Sequence, residues 1–359
     1  MLDPVWTPDV PSDARAAWVT DDAGGLVRFE AAASRGKPVW LRTVAPWERA
    51  ERDTRSEPIG YSGFVFFVVF VLTFLVSFGV LARHNLRLGR SDRRGAFRVG
   101  VSVFICFALG SALQFRWTVD PESVFLWLTR QPYLPALMAW LFYLGVEPFL
   151  RRRWPHRLIA WTRLLDGRLT DPLVGREVLL GILTGTVIFL VSCIPGVLEK
   201  GHEVTAFLPA LPLGPAVDFW GQTAFSVGEG LMRALGAFAT LLFFRLVFRR
   251  DAIAWAGLFL LVGLVGFLPA GDASAIQWIT IVIRAGLVLV PVRIGLVAAA
   301  VSPTTFLLLT WCTPLTVDFS RWYAWRTGVI ALLLAAIALW GFRSVMGRRR
   351  LLPDAALEG

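Results

Sequence analysis

Histidine and cysteine are scarce in this sequence, which holds only three of each among its 359 residues. The histidines are His84, His156 and His202, and the cysteines are Cys106, Cys193 and Cys312. No Cys-x-x-Cys pair occurs, although protein metal sites usually draw closely spaced ligands from these residue types. The sequence therefore predicts no metal centre and no other cofactor, and the cysteines are interpreted as small buried apolar residues.

Lysine is rarer still, with Lys37 and Lys200 alone. Neither lies in a Val-Ala-Ile-Lys context, and the chain has no His-Arg-Asp loop and no Gly-x-Ser-x-Gly elbow, the motifs of kinases and serine hydrolases. Glu229-x-x-x-Arg233 partly imitates an element of one intramembrane metalloprotease family, but no histidine follows it to bind a metal. We therefore predict that this chain is not an enzyme.

Long apolar runs are abundant by contrast. Hydrophobic residues make up 56% of the chain, the mean hydropathy is +0.61, and there are 16 tryptophans. An apolar run of about 20 residues matches the roughly 30 Å hydrocarbon core of a bilayer. The sequence predicts an all-α polytopic membrane protein with nine transmembrane helices, at about 61–82, 98–115, 133–150, 178–198, 223–248, 252–269, 276–291, 295–311 and 325–342. The sequence allows two structures around Pro291, a tight turn between two helices or a kink in one long helix.

Arginine is concentrated in alternate loops, and this pattern predicts the orientation. Residues 83–98 hold six Lys or Arg and residues 151–177 hold seven, whereas the intervening loops together hold five. Because cytoplasmic loops carry the excess of basic residues, the N-terminus is predicted outside and the C-terminus on the cytoplasmic side of the membrane. The same distribution accounts for the net charge of +10 without any nucleic-acid partner.

Three parts are predicted along the chain. They are an extracytoplasmic segment at 1–59, a helical membrane domain at 60–350 and a cytoplasmic tail at 351–359. In the first part, apolar stretches at 25–31 and 38–44 alternate with turn residues, which predicts a small β-containing unit. The first four residues show no signal peptide, so export of this part is expected to depend on the first helix.

Ionisable residues inside predicted helices are candidate functional residues, because a charge in the membrane is costly. Glu229 and Arg233 are four residues apart and are predicted to pair near the outer interface, with a ligand site as the alternative. Arg284 is predicted to bond neighbouring helices, with an anionic ligand or a water-filled cavity as the alternative. Glu147 is predicted to pair with the Arg151–Arg153 cluster rather than to relay protons.

The segment after the third helix is the most distinctive in the chain. Leu158, Trp161 and Leu165 share one helical face while Arg157 and Arg163 point elsewhere, so this piece is predicted to lie flat in the cytoplasmic interface. The predicted interface residues are Arg151, Arg152, Arg153, Trp154, Trp161, Arg163, Asp171 and Arg176.

Three stretches of this region carry a resemblance. They are Glu147-Pro-Phe-Leu-Arg-Arg-Arg-Trp-Pro, Leu158-Ile-Ala-Trp-Thr-Arg-Leu-Leu and Asp171-Pro-Leu-Val-Gly-Arg-Glu. Together they resemble the C-terminal polytopic membrane region of a group of bacterial membrane-anchored serine/threonine protein kinases. Ala82-Arg-His-Asn-Leu-Arg-Leu-Gly-Arg resembles their first cytoplasmic loop, and the resemblance runs from about residue 25 to 350. The catalytic domain of those kinases, with its glycine-rich loop and Asp-Phe-Gly site, does not occur in this chain.

The resemblance implies a non-catalytic membrane module that senses, anchors or regulates. Its expected partners are the lipid bilayer and a serine/threonine kinase domain, encoded upstream or supplied in trans. We expect the DNA directly upstream to encode such a domain and one further membrane helix. A polytopic transporter of an unknown solute is the alternative, since Gly181, Gly185, Pro195 and Pro291 are possible helix breaks of the kind that line transport sites.

The orientation is open to a direct test. Reporter fusions or cysteine labels near Lys37, Pro121 and Leu211 are expected to report the outside. Labels near Arg93, Arg163 and Arg349 are expected to report the inside, because these positions lie in the arginine-rich loops and tail. Modification of position 163 by a membrane-impermeant reagent in intact cells would reverse the assigned orientation.

Overall fold

The computed structural model describes residues 3–4, 12–22, 25–44, 61–114, 121–199, 216–264, 274–311, 319–321 and 323–347. The predicted tail at 351–359 lies outside these ranges. Within them the chain is mostly helical, and a small sheet lies near its N-terminus. The predicted helical fold with a β-containing N-terminal segment is confirmed in this coarse form.

The described helices follow the predicted apolar segments closely. They are α1 (Tyr61–Arg87), α2 (Arg93–Leu113), α3 (Pro121–Arg153), α4 (His156–Leu165), α5 (Pro172–Glu199), α6 (Ala216–Phe248), α7 (Asp251–Leu258), α8 (Ala275–Ile294), α9 (Leu296–Trp311) and α10 (Ala324–Met346). A π-helical segment, Phe259–Leu264, continues α7. As far as they are described, all nine predicted segments are helical, and α4 is a separate short helix.

The number of membrane spans differs from the prediction. Six helices of the described residues are long and apolar enough to cross a bilayer, namely α2, the Gln131–Arg153 part of α3, α5, α6, α8 and α10. Within the described residues, α9 has 16 residues, and α7 with its π-helical continuation runs from Asp251 to Leu264. Both are shorter than the roughly 20 residues that a bilayer core requires. Nine spans are therefore not confirmed, and six candidate spans take their place.

The arginine-rich connection between α1 and α2 is a compact reversal. Gly89 has a φ of 64°, and the N–H of Arg90 donates to the carbonyl of Asn85 at 3.1 Å, as in a glycine-terminated helix end. Asp92 then begins α2, since its side chain accepts the N–H of Gly95 at 2.9 Å. These local caps hold the ends of α1 and α2 close together.

The N-terminal sheet is an antiparallel meander in the order β1-β2-β3. Its strands are β1 (Ala14–Asp22), β2 (Gly25–Ser34) and β3 (Lys37–Val44). The prediction located β2 and β3 but missed β1, whose Trp18 stacks on Phe29 across the strand pair. Arg35 and Gly36 both have positive φ, as a two-residue hairpin turn requires.

Helix α9 lies in the middle of the helical part, packed against both α5 and α6. On α5, a Cβ at Gly181 would meet Val301, and a Cβ at Gly185 would meet the carbonyl oxygen of Ser302. Small residues four apart permit this close approach of two membrane helices. The breaks considered for the transporter alternative do not occur here, because α5 continues unbroken through both glycines and through Pro195.

The break in this region falls between α8 and α9, at Gly295. Helix α8 continues through Pro291, and the N–H of Gly295 still donates to the Pro291 carbonyl at 3.1 Å. The N–H of Ala299 then donates to the Gly295 carbonyl at 3.0 Å, which begins α9. One residue with extended backbone therefore separates the two helices, and the break lies after the proline rather than at it.

Candidate functional site

Glu147 fastens the start of α2 to α3. Its buried carboxylate lies 2.6 Å from the Arg151 guanidinium and accepts the backbone N–H of Asp92 at 3.4 Å. Close by, the side-chain amide of Asn85 donates to the carbonyl of Leu144 at 3.1 Å. Arg151 is thus the member of the arginine cluster that pairs with Glu147, and the whole arrangement ties the first loop to α3.

The other arginines of the predicted interface have different surroundings. Arg153 lies 3.4 Å from a carboxylate oxygen of Asp251, at the start of α7. Arg152 and Arg176 are exposed, and no ion pair joins either of them to another residue in the described part of the chain. Of the five predicted arginines, one is therefore paired within α3, one is paired with α7, two are exposed, and Arg163 is paired with Asp171.

Helix α4 is held at its C-terminal end. Arg163 lies 2.7 Å from one carboxylate oxygen of Asp171, whose other oxygen accepts the N–H of Leu173 at 2.9 Å and so caps α5. Arg98 of α2 donates to the carbonyl of Leu165 at 2.7 Å. Charge-assisted contacts of this kind are the stronger ones in proteins, and they join α4 to both α2 and α5.

The prediction that α4 lies flat in the membrane interface stays a prediction, but the neighbours of its apolar face in the structure are protein. Leu158 and Trp161 are buried among the other helices. Arg157, expected to point away, is also buried. The apolar face that the sequence shows is covered by protein instead of lipid.

Arg157 is held between two indole rings. Its Cζ lies 4.5 Å from the centroid of the Trp154 ring and 5.1 Å from that of Trp255. The Cζ of Arg293, at the end of α8, lies 5.0 Å from the same Trp255 ring. We call these four residues, Trp154, Arg157, Trp255 and Arg293, the arginine–tryptophan cluster.

One carboxylate, Asp251, is near enough for its charge to act on Arg157. Both of its oxygens already pair with other arginines. Arg245 lies 2.6 Å from one of its oxygens and Arg153 lies 3.4 Å from the other. Two nitrogens of Arg157, Nε and Nη1, are buried and make no hydrogen bond within the described ranges. Burial, and then the charge of Arg293, lower the pKa of Arg157, while Asp251 raises it. An arginine nevertheless stays protonated, so the cluster keeps both positive charges.

Glu177 caps the N-terminus of α9 from the neighbouring helix α5. One carboxylate oxygen accepts the N–H of Val297 at 3.2 Å and that of Ala298 at 3.4 Å. The first N–H groups of a helix have no partner inside it, and the helix dipole favours a negative charge there. A Cβ at Gly295 would meet both carboxylate oxygens. Glycine at this break therefore leaves the space that the Glu177 carboxylate occupies.

Arg284 links α8 to α5, because its Nη1 donates to the hydroxyl of Ser192 at 3.2 Å. Hydrogen bonds between membrane helices contribute about 0.6 kcal/mol on average. We therefore expect Arg284→Gln to lower the free energy of unfolding in detergent by about that amount and to leave the fold intact. Ser192→Ala removes the same bond and is the matched control. A loss several times larger for Arg284→Gln than for Ser192→Ala would show that this bond is not its main contribution.

Glu229 and Arg233 form the predicted pair on α6, with 3.0 Å between the Arg233 Nε and a Glu229 oxygen. Both side chains are partly exposed. Closer to the start of α6, the side-chain amide of Gln114 donates to that of Gln222 at 3.3 Å. The spacing of Gln222, Glu229 and Arg233 places these polar groups on one face of α6.

Sequence reasoning did not assign Arg157, Trp255 or Arg293 to a cluster, and it did not identify Glu177 as a cap. The spacing of Glu177, Gly181 and Gly185 was a usable signal, since residues four apart share one helical face. No comparable signal joins Trp255 to Arg293, because they lie on different helices. Among the described residues, no group of three or more His, Cys, Asp or Glu is arranged to hold a metal ion.

The six apolar helices define the class of this molecule as a multi-pass helical membrane protein. The chain matches no protein-family model, no curated protein and no solved structure. The resemblance to the membrane region of serine/threonine kinases therefore stays a prediction.

Proposed function

We propose that this chain is a non-catalytic membrane module that anchors and regulates a partner domain of the serine/threonine kinase type. The observation that supports the proposal is the fastening of α4 by Arg98 and by the Arg163–Asp171 pair. These contacts make the segment between α3 and α5 a defined surface instead of a free loop. A defined, arginine-rich surface on the predicted cytoplasmic side suits the docking of a folded domain.

Regulation through this surface requires a route from the outer side of the membrane. A ligand that binds one arrangement of the helices better than another shifts the population towards it. Glu147 joins α3 to the start of α2, and Glu177 joins α5 to α9. A change in the packing of these helices is therefore transmitted to the loops beside them.

The test is a binding measurement between the purified full chain and a serine/threonine kinase domain encoded directly upstream or elsewhere in the same genome. We expect a complex on size-exclusion chromatography, and we expect Arg163→Gln to weaken it because α4 loses its link to Asp171. Arg15→Gln, an exposed change in the sheet, is the matched control and should bind normally. Absence of a complex, or equal binding by all three proteins, would contradict the proposal.

The non-catalytic part has its own test. The purified chain alone is expected neither to bind ATP at micromolar concentration nor to phosphorylate itself, because it has no phosphate-binding loop and no catalytic His-Arg-Asp. Incubation with labelled ATP measures both properties. Phosphate incorporation by the chain alone would show that it is an enzyme.

Transport remains the rival function, and Arg284 distinguishes the two. If Arg284 binds a solute, Arg284→Gln should abolish flux into proteoliposomes while the fold survives. If Arg284 only bonds α8 to α5, the same substitution should leave any reconstituted flux unchanged. A solute flux that this substitution abolishes would favour the transporter.

A further inference from the structure

We propose that the arginine–tryptophan cluster binds a phosphate group, of the kind that anionic phospholipids carry in their headgroups. The site consists of Arg157 and Arg293, with Trp154 and Trp255 beside them. The inference is independent of the proposed function, because no partner domain takes part in it.

The charges around the cluster are unbalanced. Arg157 and Arg293 both lie over the Trp255 ring, and the positive charge of Arg293 acts on Arg157. Like charges repel, the more so away from bulk water. Asp251, the carboxylate whose charge acts on Arg157, is bound by two other arginines. An anion bound beside the two guanidinium groups would offset this repulsion.

The hydrogen bonds of Arg157 are also incomplete. The residue is 8% exposed, and its Nε and Nη1 have no hydrogen-bond partner within the described part of the chain. Buried charged donors are costly when they have no acceptor. A guanidinium has a planar fork of donors that matches a phosphate group. Phosphate oxygens are therefore suitable acceptors for these donors.

The position of the cluster favours a lipid as the source of the phosphate. Arg293 is exposed at the end of the candidate span α8, so a ligand can reach it from the protein surface. Arg157 is buried. Tryptophans are enriched at the level of the headgroups, and basic pockets between membrane helices bind anionic headgroups. A phospholipid in the adjacent leaflet can place its phosphate against Arg293.

The experiment measures retention of added phosphatidylglycerol by the full chain in detergent, using native mass spectrometry and thermal unfolding. Phosphatidylcholine and inorganic phosphate are added in separate arms. The wild-type chain is expected to retain and be stabilised by phosphatidylglycerol more than by phosphatidylcholine. In Arg293→Gln we expect a roughly fivefold loss of affinity, since one basic residue near an anionic surface contributes about 1 kcal/mol.

The controls separate the site from general surface charge. Arg152→Gln removes an exposed arginine outside the cluster and should retain phosphatidylglycerol like the wild-type chain. Arg157 is buried, and its replacement can impair folding. The decisive comparison is therefore between the wild-type chain and Arg293→Gln, which changes an exposed residue. Equal stabilisation of wild type and Arg293→Gln, or equal retention of both lipids, would overturn the proposal. Stabilisation by inorganic phosphate that Arg293→Gln abolishes would support the site with the free ion as its ligand.

Discussion

Replacement of Gly185 by valine is expected to lower the free energy of unfolding by about 3 kcal/mol. A Cβ at this position would meet the backbone carbonyl of Ser302 and the Cβ of Thr305. A backbone carbonyl cannot move out of the way as the end of a flexible side chain can, so α5 and α9 must separate to make room for the added Cβ. Because α9 also packs against α6, the separation loosens the middle of the molecule. Thermal or denaturant unfolding in detergent micelles measures the loss.

Gly286→Val is the matched control for this prediction. It makes the same chemical change inside α8, but a Cβ at Gly286 meets nothing within 4 Å. Any effect of valine on helix propensity is shared by the two variants, so their difference reports the α5–α9 contact. Equal destabilisation of the two proteins would mean that the close approach at Gly185 is not important for stability.

Removal of the Glu177 carboxylate is expected to have the second largest effect. Glu177→Ala leaves the buried N–H groups of Val297 and Ala298 without their acceptor, which costs about 2 kcal/mol. Glu177→Gln keeps an oxygen of similar position and should lose less. Unfolding of both variants in detergent tests this order, and a greater loss for glutamine than for alanine would contradict it.

The contact between Glu177 and Gly295 allows a sharper test. Gly295→Ala is expected to destabilise the wild-type chain because its Cβ would meet the Glu177 carboxylate. In the Glu177→Ala background this obstacle is absent, so the same change should cost less. Independent sites add within about 0.5 kcal/mol, and additivity of these two substitutions would rule out the contact.

Both predictions concern the attachment of α9, which is also where the proposed regulation would act. Gly185 sets how closely α5 approaches α9, and Glu177 holds the end of α9 next to the break at Gly295. A change at either contact would alter how these helices pack. If the proposed function holds, variants at these positions should also change binding of the kinase domain.

Local features of this molecule were accessible from the sequence. The apolar segments are helical because a backbone surrounded by lipid must form its hydrogen bonds within the segment. The length of each segment can be counted directly in the sequence. The Glu147–Arg151 and Glu229–Arg233 pairs follow from a spacing of four residues on one helix. In each case the interacting groups lie within one element.

Contacts between distant elements were not accessible. The burial of α4, the stacking of Arg157 and Arg293 on Trp255, and the capping of α9 by Glu177 all join residues of different helices. The number of candidate spans also differed, since only six of the described helices are long and apolar enough to cross a bilayer. Sequence alone determined the helical membrane class, since length and hydropathy are properties of each segment. Only the tertiary structure decided which faces meet, because protein neighbours and lipid are equally apolar and the pattern of a helix does not distinguish them.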